Sequence, residues 1–178
     1  ANFEEVNMEG ATLGGASLRA ATLCGANLEW ADLADADLSG ADLADTNLKG
    51  AILVSAHLEG ATLWRSSLEG ADLEDANLEG ANLGEASLLG VNLVGARLRE
   101  ANLSRANLRR VSLWHADMER ASLQYATLEG AFVTAEQLVQ ARSLACAVLP
   151  DGTELSWGSW KTEFEEWRKV HEGREGDE

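Results

Sequence analysis

The sequence has little of what most catalytic and metal sites are built from. Its 178 residues include only two cysteines and three histidines. Cys24 and Cys146 cannot make a disulfide framework, so we expect both to be reduced thiols. His57, His115 and His171 are isolated along the chain, and no Cys/His spacing suits zinc. We therefore expect no metal site and no cofactor.

Long apolar segments are also missing. No apolar run approaches the ~18 to 20 residues that a membrane-spanning helix requires, and no signal-peptide pattern stands at the N-terminal end. The glycines recur at regular intervals and do not gather into a phosphate-binding loop. These absences predict a soluble, cytoplasmic protein that is not an enzyme and does not associate with membranes.

Basic residues are scarce. The chain has 14 Lys and Arg against 30 Asp and Glu, which gives a formal net charge of −16. Residues 1–96 alone hold 16 acidic and three basic residues. Because a negative field repels phosphate groups, direct nucleic-acid binding is disfavoured.

A five-residue repeat dominates the chain and runs through 26 pentads from residue 1 to residue 130. The first position is Ala in 21 pentads, the second is Asn, Asp, Ser or Thr in 23, and the third is Leu in 23. A helix advances about 100° per residue, so leucines five apart would scatter around its axis. A strand alternates faces, so the same spacing would put successive leucines on opposite sides. Neither element explains the pattern.

A chain that turns a corner every five residues does explain it. Four corners close a square, so that each residue lies above the residue twenty positions earlier, joined by parallel-type hydrogen bonds at a spacing of about 4.8 Å. The leucines then stack in interior ladders, with the alanines filling the space beside them. Glycine, at the fifth position of 11 pentads, supplies the positive φ that the third residue of a type II turn requires.

The tandem A(D/N)LXX pattern, as in ADLADADLSGADLADTNLKG, residues 31–50, resembles the pentapeptide repeat family. The resemblance covers residues 1–130 and implies an all-β solenoid, the right-handed quadrilateral parallel β-helix. The family's antibiotic-resistance branch often has Phe at the central position and carries looped insertions. This sequence has Phe at the central position only in its first pentad, has no insertion, and is more similar to the Ala/Leu-rich members that are common in cyanobacteria and other bacteria.

The chain is predicted to consist of three segments. Residues 1–133 form the β-helix of about 6.5 coils, residues 134–155 a capping helix and terminal turn, and residues 156–178 an aromatic helical segment followed by a disordered acidic tail. Thr134, with Gln137 three residues later, is typical of a capping box.

The first coil begins inside the repeat without a capping segment, and solenoids usually need one at each end. This predicts that the sequence is a fragment of a longer chain, with a mature processed form as the alternative.

The aromatic segment places Trp157, Trp160, Phe164 and Trp167 at intervals of three, four and three, as on one face of a helix. Two interpretations stand. The stripe packs on the flank of the β-helix, or it anchors a partner, which includes a second copy in a homodimer formed through the C-terminal segment.

The acidic residues raise the possibility of DNA mimicry. Over residues 1–96 the charge of −13 lies on roughly 23 Å of rod, which is close to the charge density of duplex DNA. The resemblance adds that gyrase-protecting members of the family are thought to act in this way. Against it, an acidic surface also keeps a solenoid soluble, and the acids are spread over several faces. The candidate mimic residues are Asp32, Asp35, Asp37, Asp42, Asp45, Asp72, Glu74 and Asp75.

Basic residues gather near the end of the repeat, beside the outward Trp114. The cluster predicts either charge balancing by ion pairs or a surface for a protein partner, since Arg and Trp favour interfaces. Stacking predicts a column of Arg65, Glu85 and Arg105, and places Glu79 beneath Arg99. The candidate partner-binding arginines are Arg97, Arg99, Arg105, Arg109 and Arg110.

Two further positions invite a chemical interpretation. Asp37 is predicted directly below His57, where we expect a solvated ion pair and no catalytic group, because the column lacks a nucleophile. Cys24 stacks between Glu4 and Ala44 without a basic neighbour, which predicts an unreactive thiol.

The sequence thus predicts a non-enzymatic rigid scaffold or protein-interaction module, monomeric or dimeric, with a protein partner of unknown identity. The alternative is an acidic DNA mimic that inhibits a DNA-binding enzyme such as a type II topoisomerase.

Overall fold

Parallel backbone bridges join residues twenty positions apart throughout the repeat. In the computed structural model, which describes residues 1–171, the bridges start with Asn2 and Thr22 and continue without a slip to Ser112 and Phe132. The β structure of each side is a single bridging residue at the second pentad position. The predicted acidic tail, residues 172–178, lies outside the described residues.

Each coil has four sides, and we name them by their first pentads. Face I begins with residues 1–5, face II with 6–10, face III with 11–15 and face IV with 16–20, and each recurs every twenty residues. Faces I and III lie on opposite sides of the square coil, as do faces II and IV.

The corners have the conformation that the pentad predicts. The first residue of each pentad donates its N–H to the third residue of the pentad before, as in Ala36 to the Leu33 carbonyl at 3.1 Å. The fifth residue stands inside this turn with φ between 51° and 69° in all 26 pentads. Glycine suits that region, and Asp, Glu, Arg and Trp30 also adopt it here, at a conformational cost that the surrounding ladders outweigh.

The core is a stack of leucines and alanines. From Leu23 to Leu128 every third-position side chain is fully buried, and the alanines beside them are at most 4% exposed. In the first coil Phe3, Met8 and Leu13 are half-buried and pack against this core. The prediction that the first and third pentad positions face inward is confirmed.

The helix α1, Ala135–Val139, stands where the next face IV side would lie. Its predicted capping box is present: the Thr134 hydroxyl accepts from the Gln137 N–H, and the Gln137 side chain accepts from the Thr134 N–H. The Gln137 amide also donates to the carbonyls of Leu113 and Ala116 at 2.6 and 3.0 Å. These bonds tie α1 to the last complete coil.

After α1 the chain rejoins the solenoid with one extra residue, since Ser122 pairs with Ser143 and Thr127 with Val148. It then turns at residues 150–152, as predicted, and comes back antiparallel, with Glu154 opposite Val148. No pattern in the sequence indicates this antiparallel return. No helix among the described residues is long and apolar enough to span a bilayer.

The second helix, α2, is Trp160–His171. It buries Phe164 and Trp167, which are 3% and 8% exposed, and Trp160 is half-buried. The prediction that Trp157 shares this helical face is wrong, because Trp157 precedes the helix and is 60% exposed. The aromatic stripe therefore divides into a packed part and an exposed residue.

Candidate interaction surfaces

Most of the predicted arginine cluster is engaged in ion pairs between coils. Arg97 contacts Glu79 at 3.3 Å, and Arg109 contacts Glu129 at 3.1 Å. Arg99 reaches the next coil and contacts Glu119 at 2.7 Å and Asp117 at 3.5 Å. The expected Glu79–Arg99 pair is wrong, because Arg97 on the same face takes Glu79 and Arg99 extends in the opposite direction.

The expected column of Arg65, Glu85 and Arg105 follows the register, but its side chains make other contacts. Arg65 turns to Asp45 at 3.7 Å and lies over the Trp64 ring at 4.9 Å. The Arg105 guanidinium lies 5.0 Å from the centre of the Tyr125 ring. The predicted ion pairs with Glu85 are therefore absent from the part of the chain that the structure describes.

The bridge between Asp37 and His57 is present in the backbone, yet their side chains do not form the expected pair. The His57 Nδ1 lies 3.4 Å from Glu59, whereas Asp37 accepts hydrogen bonds from the Ser39 N–H and hydroxyl and lies 3.9 Å from Arg19. His57 and Asp37 therefore each contact a residue two positions along their own coil, Glu59 and Ser39, and not each other.

A serine that the sequence interpretation overlooked belongs to this cluster. The Ser39 hydroxyl shares its one proton between Asp37 and Glu59, which lies 3.1 Å away, so the Glu59 carboxylate stands between the serine and His57. In a hydrolytic triad the imidazole must stand between the acid and the serine in order to take the hydroxyl proton. This order of groups therefore does not activate Ser39.

An exposed stack crosses from the solenoid to the tail on face I. The Arg105 guanidinium lies over the Tyr125 ring, and the Tyr125 and Trp157 rings stack with their centres 5.9 Å apart at an angle of 28°. Tyr125 is 44% exposed and Trp157 is 60% exposed. Tyr125 was not among the predicted residues, although its position among the outward pentad columns could have identified it.

The rest of the tail packs against the end of the solenoid. The Phe164 and Trp167 rings stack at 5.7 Å, and Trp167 stacks on His171 at 4.3 Å. A cavity of about 420 Å³ lies between the two helices, lined mainly by the apolar side chains of Leu138, Val139, Ala141, Trp160 and Phe164. Burial removes Phe164 and Trp167 from the residues available to a partner.

The candidate mimic acids are divided among three faces. Asp42 and Asp45 lie on face I and Asp37 on face IV, while the other five belong to face III. Among the described residues none of those five makes an ion pair. The face III acids are Asp32, Asp35, Asp72, Glu74 and Asp75.

Cys24 lies on face I and is a free thiol, as is Cys146. Partial burial raises the pKa of Cys24, and the charges of Asp42, Asp45 and Glu4 raise it further. Only the thiolate is a nucleophile, so the expectation of an unreactive thiol agrees with this environment. No group of three His, Cys, Asp or Glu within residues 1–171 is arranged to hold a metal ion.

Comparison with known proteins identifies the repeat. The family model described as "Pentapeptide repeats" matches this chain in 8 copies, which together extend over residues 1–134. The chain belongs to the pentapeptide repeat family. No curated protein sequence gives a significant match.

One solved structure shows the same fold, and a second protein is similar in sequence. A trypsin-treated form of QnrB1, a plasmid-mediated fluoroquinolone resistance protein, matches with a TM-score of 0.62 and 20% identity over 66% of this chain and 56% of that one. HetL of the cyanobacterium Nostoc sp. strain PCC 7120, described as involved in heterocyst differentiation regulation, is 30% identical over 86% of this chain and 91% of its own, with a TM-score of 0.25. Its family membership and the fold that it shares with QnrB1 identify this chain as a right-handed quadrilateral β-helix.

Proposed function

We propose that this pentapeptide repeat protein is a non-enzymatic, rigid interaction module that binds a protein partner. The observation that carries the proposal is the exposed stack of Arg105, Tyr125 and Trp157 on face I. Trp, Tyr and Arg are the side chains most enriched at the energetic centres of protein interfaces. QnrB1 and HetL support an interaction role only at the level of the family.

The stack is well organised for binding. Tyr125 is fixed to the solenoid by the hydrogen bond from its N–H to the Ala145 carbonyl at 2.9 Å, and Arg105 by its own bond to Gln124 at 2.8 Å. A surface held by the ladder loses little conformational freedom when a partner binds, so more of the contact energy appears as affinity.

The test is a comparison of two variants in partner capture. The double variant Tyr125→Ala/Trp157→Ala removes the stack, and Trp30→Ala removes a tryptophan that is 64% exposed on face II. Proteins retained by the wild-type chain should be lost from the double variant and kept by Trp30→Ala. Light scattering of the same variants tests the second copy as partner, since a dimer formed through the C-terminal segment would dissociate. Equal retention by both variants would refute the role of the stack.

DNA mimicry is a second candidate, favoured by the five acids that share face III without a cation. The acidic surface is interrupted, which counts against mimicry. The acids lie on only two coils, at residues 31–35 and 71–75, and the coil between them carries Ile52 and Val54. A mimic should inhibit a type II topoisomerase in a supercoiling assay, with inhibition that weakens as salt rises. Full enzyme activity at low salt would exclude this function.

A further inference from the structure

Charge is unevenly distributed over the four faces. Within residues 1–130, face I has five acidic and two basic residues, face II four and three, and face IV six and four, whereas face III has five acidic residues and no Lys or Arg. The solenoid ion pairs lie on the other three faces. The nearest partner of the face III acids is Asn92, whose amide donates to Asp72 at 2.9 Å and to Glu74 at 3.2 Å.

Face III also exposes large apolar side chains. Ile52 and Trp114 are each 44% exposed and Phe132 is 56% exposed, while Val54 and Val94 are half-buried between them. Within the face IV pentads of residues 16–120, by contrast, no large apolar side chain is exposed. Unpaired acids and exposed apolar groups therefore occur together on one side of the rod.

We propose that face III binds a cationic amphipathic segment of a partner protein, in which Lys or Arg residues stand beside large apolar side chains. This proposal rests on the interaction role proposed above and assigns it a second surface, opposite the stack. Charge complementarity decides the occupant: a second copy of face III would bring five more acids, and nucleic acid would bring phosphates. A partner segment that carried only charges would leave the exposed apolar side chains of face III without contacts, so the segment must also present apolar side chains.

The dimensions suit such a segment. Asp32 and Phe132 are five coils apart, which is about 24 Å along the rod. A helix of about 16 residues has the same length. Its basic residues would meet the acids at residues 31–35 and 71–75, and its apolar residues would meet Ile52, Val94 and Trp114.

The binding test uses labelled helical peptides of about 16 residues and fluorescence anisotropy at low salt. The probe carries Lys and Leu on one face. In one control peptide Ser replaces Leu, and in another Glu replaces Lys. We expect the Lys/Leu probe to bind and each control peptide to bind about tenfold more weakly or not at all.

Matched variants locate the surface. Asp35→Lys/Glu74→Lys/Asp75→Lys changes face III, and Glu4→Lys/Glu5→Lys/Glu85→Lys makes the same change of net charge at equivalent pentad positions of face I. Positive φ is no obstacle in either set, because arginines occupy the same corner position elsewhere. The face III variant should bind the probe about tenfold more weakly, and the face I variant should bind it about as well as the wild type does.

Equal losses in the two triple variants, or no loss in either, would overturn the proposal. If the face III variant does not fold by circular dichroism, Asp35→Asn/Glu74→Gln/Asp75→Asn makes the same test with a loss of about threefold. Ile52→Ser/Trp114→Ser should also weaken binding of the probe. Unchanged binding by this variant would mean that face III acts through its charges alone, as DNA mimicry requires. Tyr125→Ala/Trp157→Ala should leave probe binding unchanged, so failure of the stack and failure of face III are separate results.

Discussion

Faces III and IV are neighbours on the same coils, yet their outer surfaces are opposites. Face IV pairs its charges, as in Arg97 with Glu79 and Arg120 with Glu100, and exposes no large apolar side chain in its pentads within residues 16–120. Face III leaves its acids without a cation and exposes Ile52, Trp114 and Phe132. The backbone ladder and the buried leucines are the same beneath both.

The difference shows that core and surface are specified by different pentad positions. The first and third positions supply the core, and the second is restricted to Asn, Asp, Ser or Thr in 23 of 26 pentads, while the fourth and fifth project outward and vary most in residue type. Outward residues can therefore change from face to face without altering the fold. A face whose charges are satisfied internally offers a partner little, because each ion pair would have to be broken on binding.

The largest expected effect tests the claim that the two faces share one core. Leu73 lies beneath face III and Leu78 beneath face IV, and both are fully buried. Leu73→Lys and Leu78→Lys each bury an unpaired charge, so each should lower the free energy of unfolding by at least about 4 kcal/mol or prevent folding. Denaturant unfolding followed by circular dichroism measures this loss.

The control is Glu74→Lys, an exposed change on face III, which should alter stability by less than about 0.5 kcal/mol. Similar midpoints for Glu74→Lys and Leu73→Lys would show that the inward and outward positions have been assigned wrongly.

The core could be predicted from the sequence because only a chain that turns a corner every five residues places all the regularly spaced leucines in the interior. The same regularity does not decide side-chain pairing. Arg99 can reach either the coil before or the coil after, and His57 can turn to Asp37 or Glu59, and these choices depend on rotamers and competing partners. The stack on Tyr125 depends on the antiparallel return at Glu154, which leads the chain to Trp157. This return lies outside the repeat, so the five-residue pattern does not predict it. That the five acids share face III could be recognised only after the twenty-residue register was known, because the two groups of acids are forty residues apart in the sequence.

The next prediction concerns the C-terminal end of the solenoid, where α1 stands in place of a face IV side and α2 packs beside it. Truncation after Thr153 removes the buried Leu155, Phe164 and Trp167. Each contributes about 1.5 to 3 kcal/mol of apolar burial, less the cost of ordering the segment, so Tm should fall by on the order of 10 °C.

Differential scanning calorimetry of the truncated chain measures the shift, with Trp157→Ala as control. Trp157 is 60% exposed, so its removal should leave Tm nearly unchanged. A truncated chain that melts with the wild type would mean that the tail does not stabilise the solenoid.

A third prediction separates the faces by pH. The side-chain and backbone hydrogen bonds from Ser39 lower the pKa of Asp37 on face IV below its ordinary value of 3.8. Burial acts to raise the pKa of Glu59, but hydrogen bonds from its own backbone, His57 and Ser39 outweigh burial and lower it below 4.5. A lowered carboxyl pKa stabilises the fold above the unfolded value, and that stability is lost as pH falls through the folded value.

Asp37→Asn/Glu59→Gln should therefore be less stable than the wild type at pH 6, and the difference should shrink as the pH falls below about 4. Urea unfolding midpoints at a series of pH values measure it. The control, Asp35→Asn on face III, removes a carboxylate that makes no ion pair within residues 1–171. A difference that stays constant down to pH 2 would contradict the assignment.

The smallest expected effects differ in sign between the two faces. Glu79→Gln on face IV removes the charge from a pair with Arg97 at 3.3 Å and should destabilise the protein by about 0.2 to 1 kcal/mol. Asp75→Asn on face III removes a charge that stands beside Glu74 and has no cation, so relief of repulsion should stabilise the protein by a similar or smaller amount. Asn suits the positive φ of 56° at this corner, so the backbone adds no strain. Both variants change one carboxylate to an amide and raise the net charge equally, so a general charge effect would move both midpoints in the same direction. Paired urea titrations at low salt can resolve the two signs, and added salt should reduce both shifts. Destabilisation by both variants would mean that the acids of face III are also stabilised by their surroundings, and the contrast between the faces would then be limited to their apolar residues.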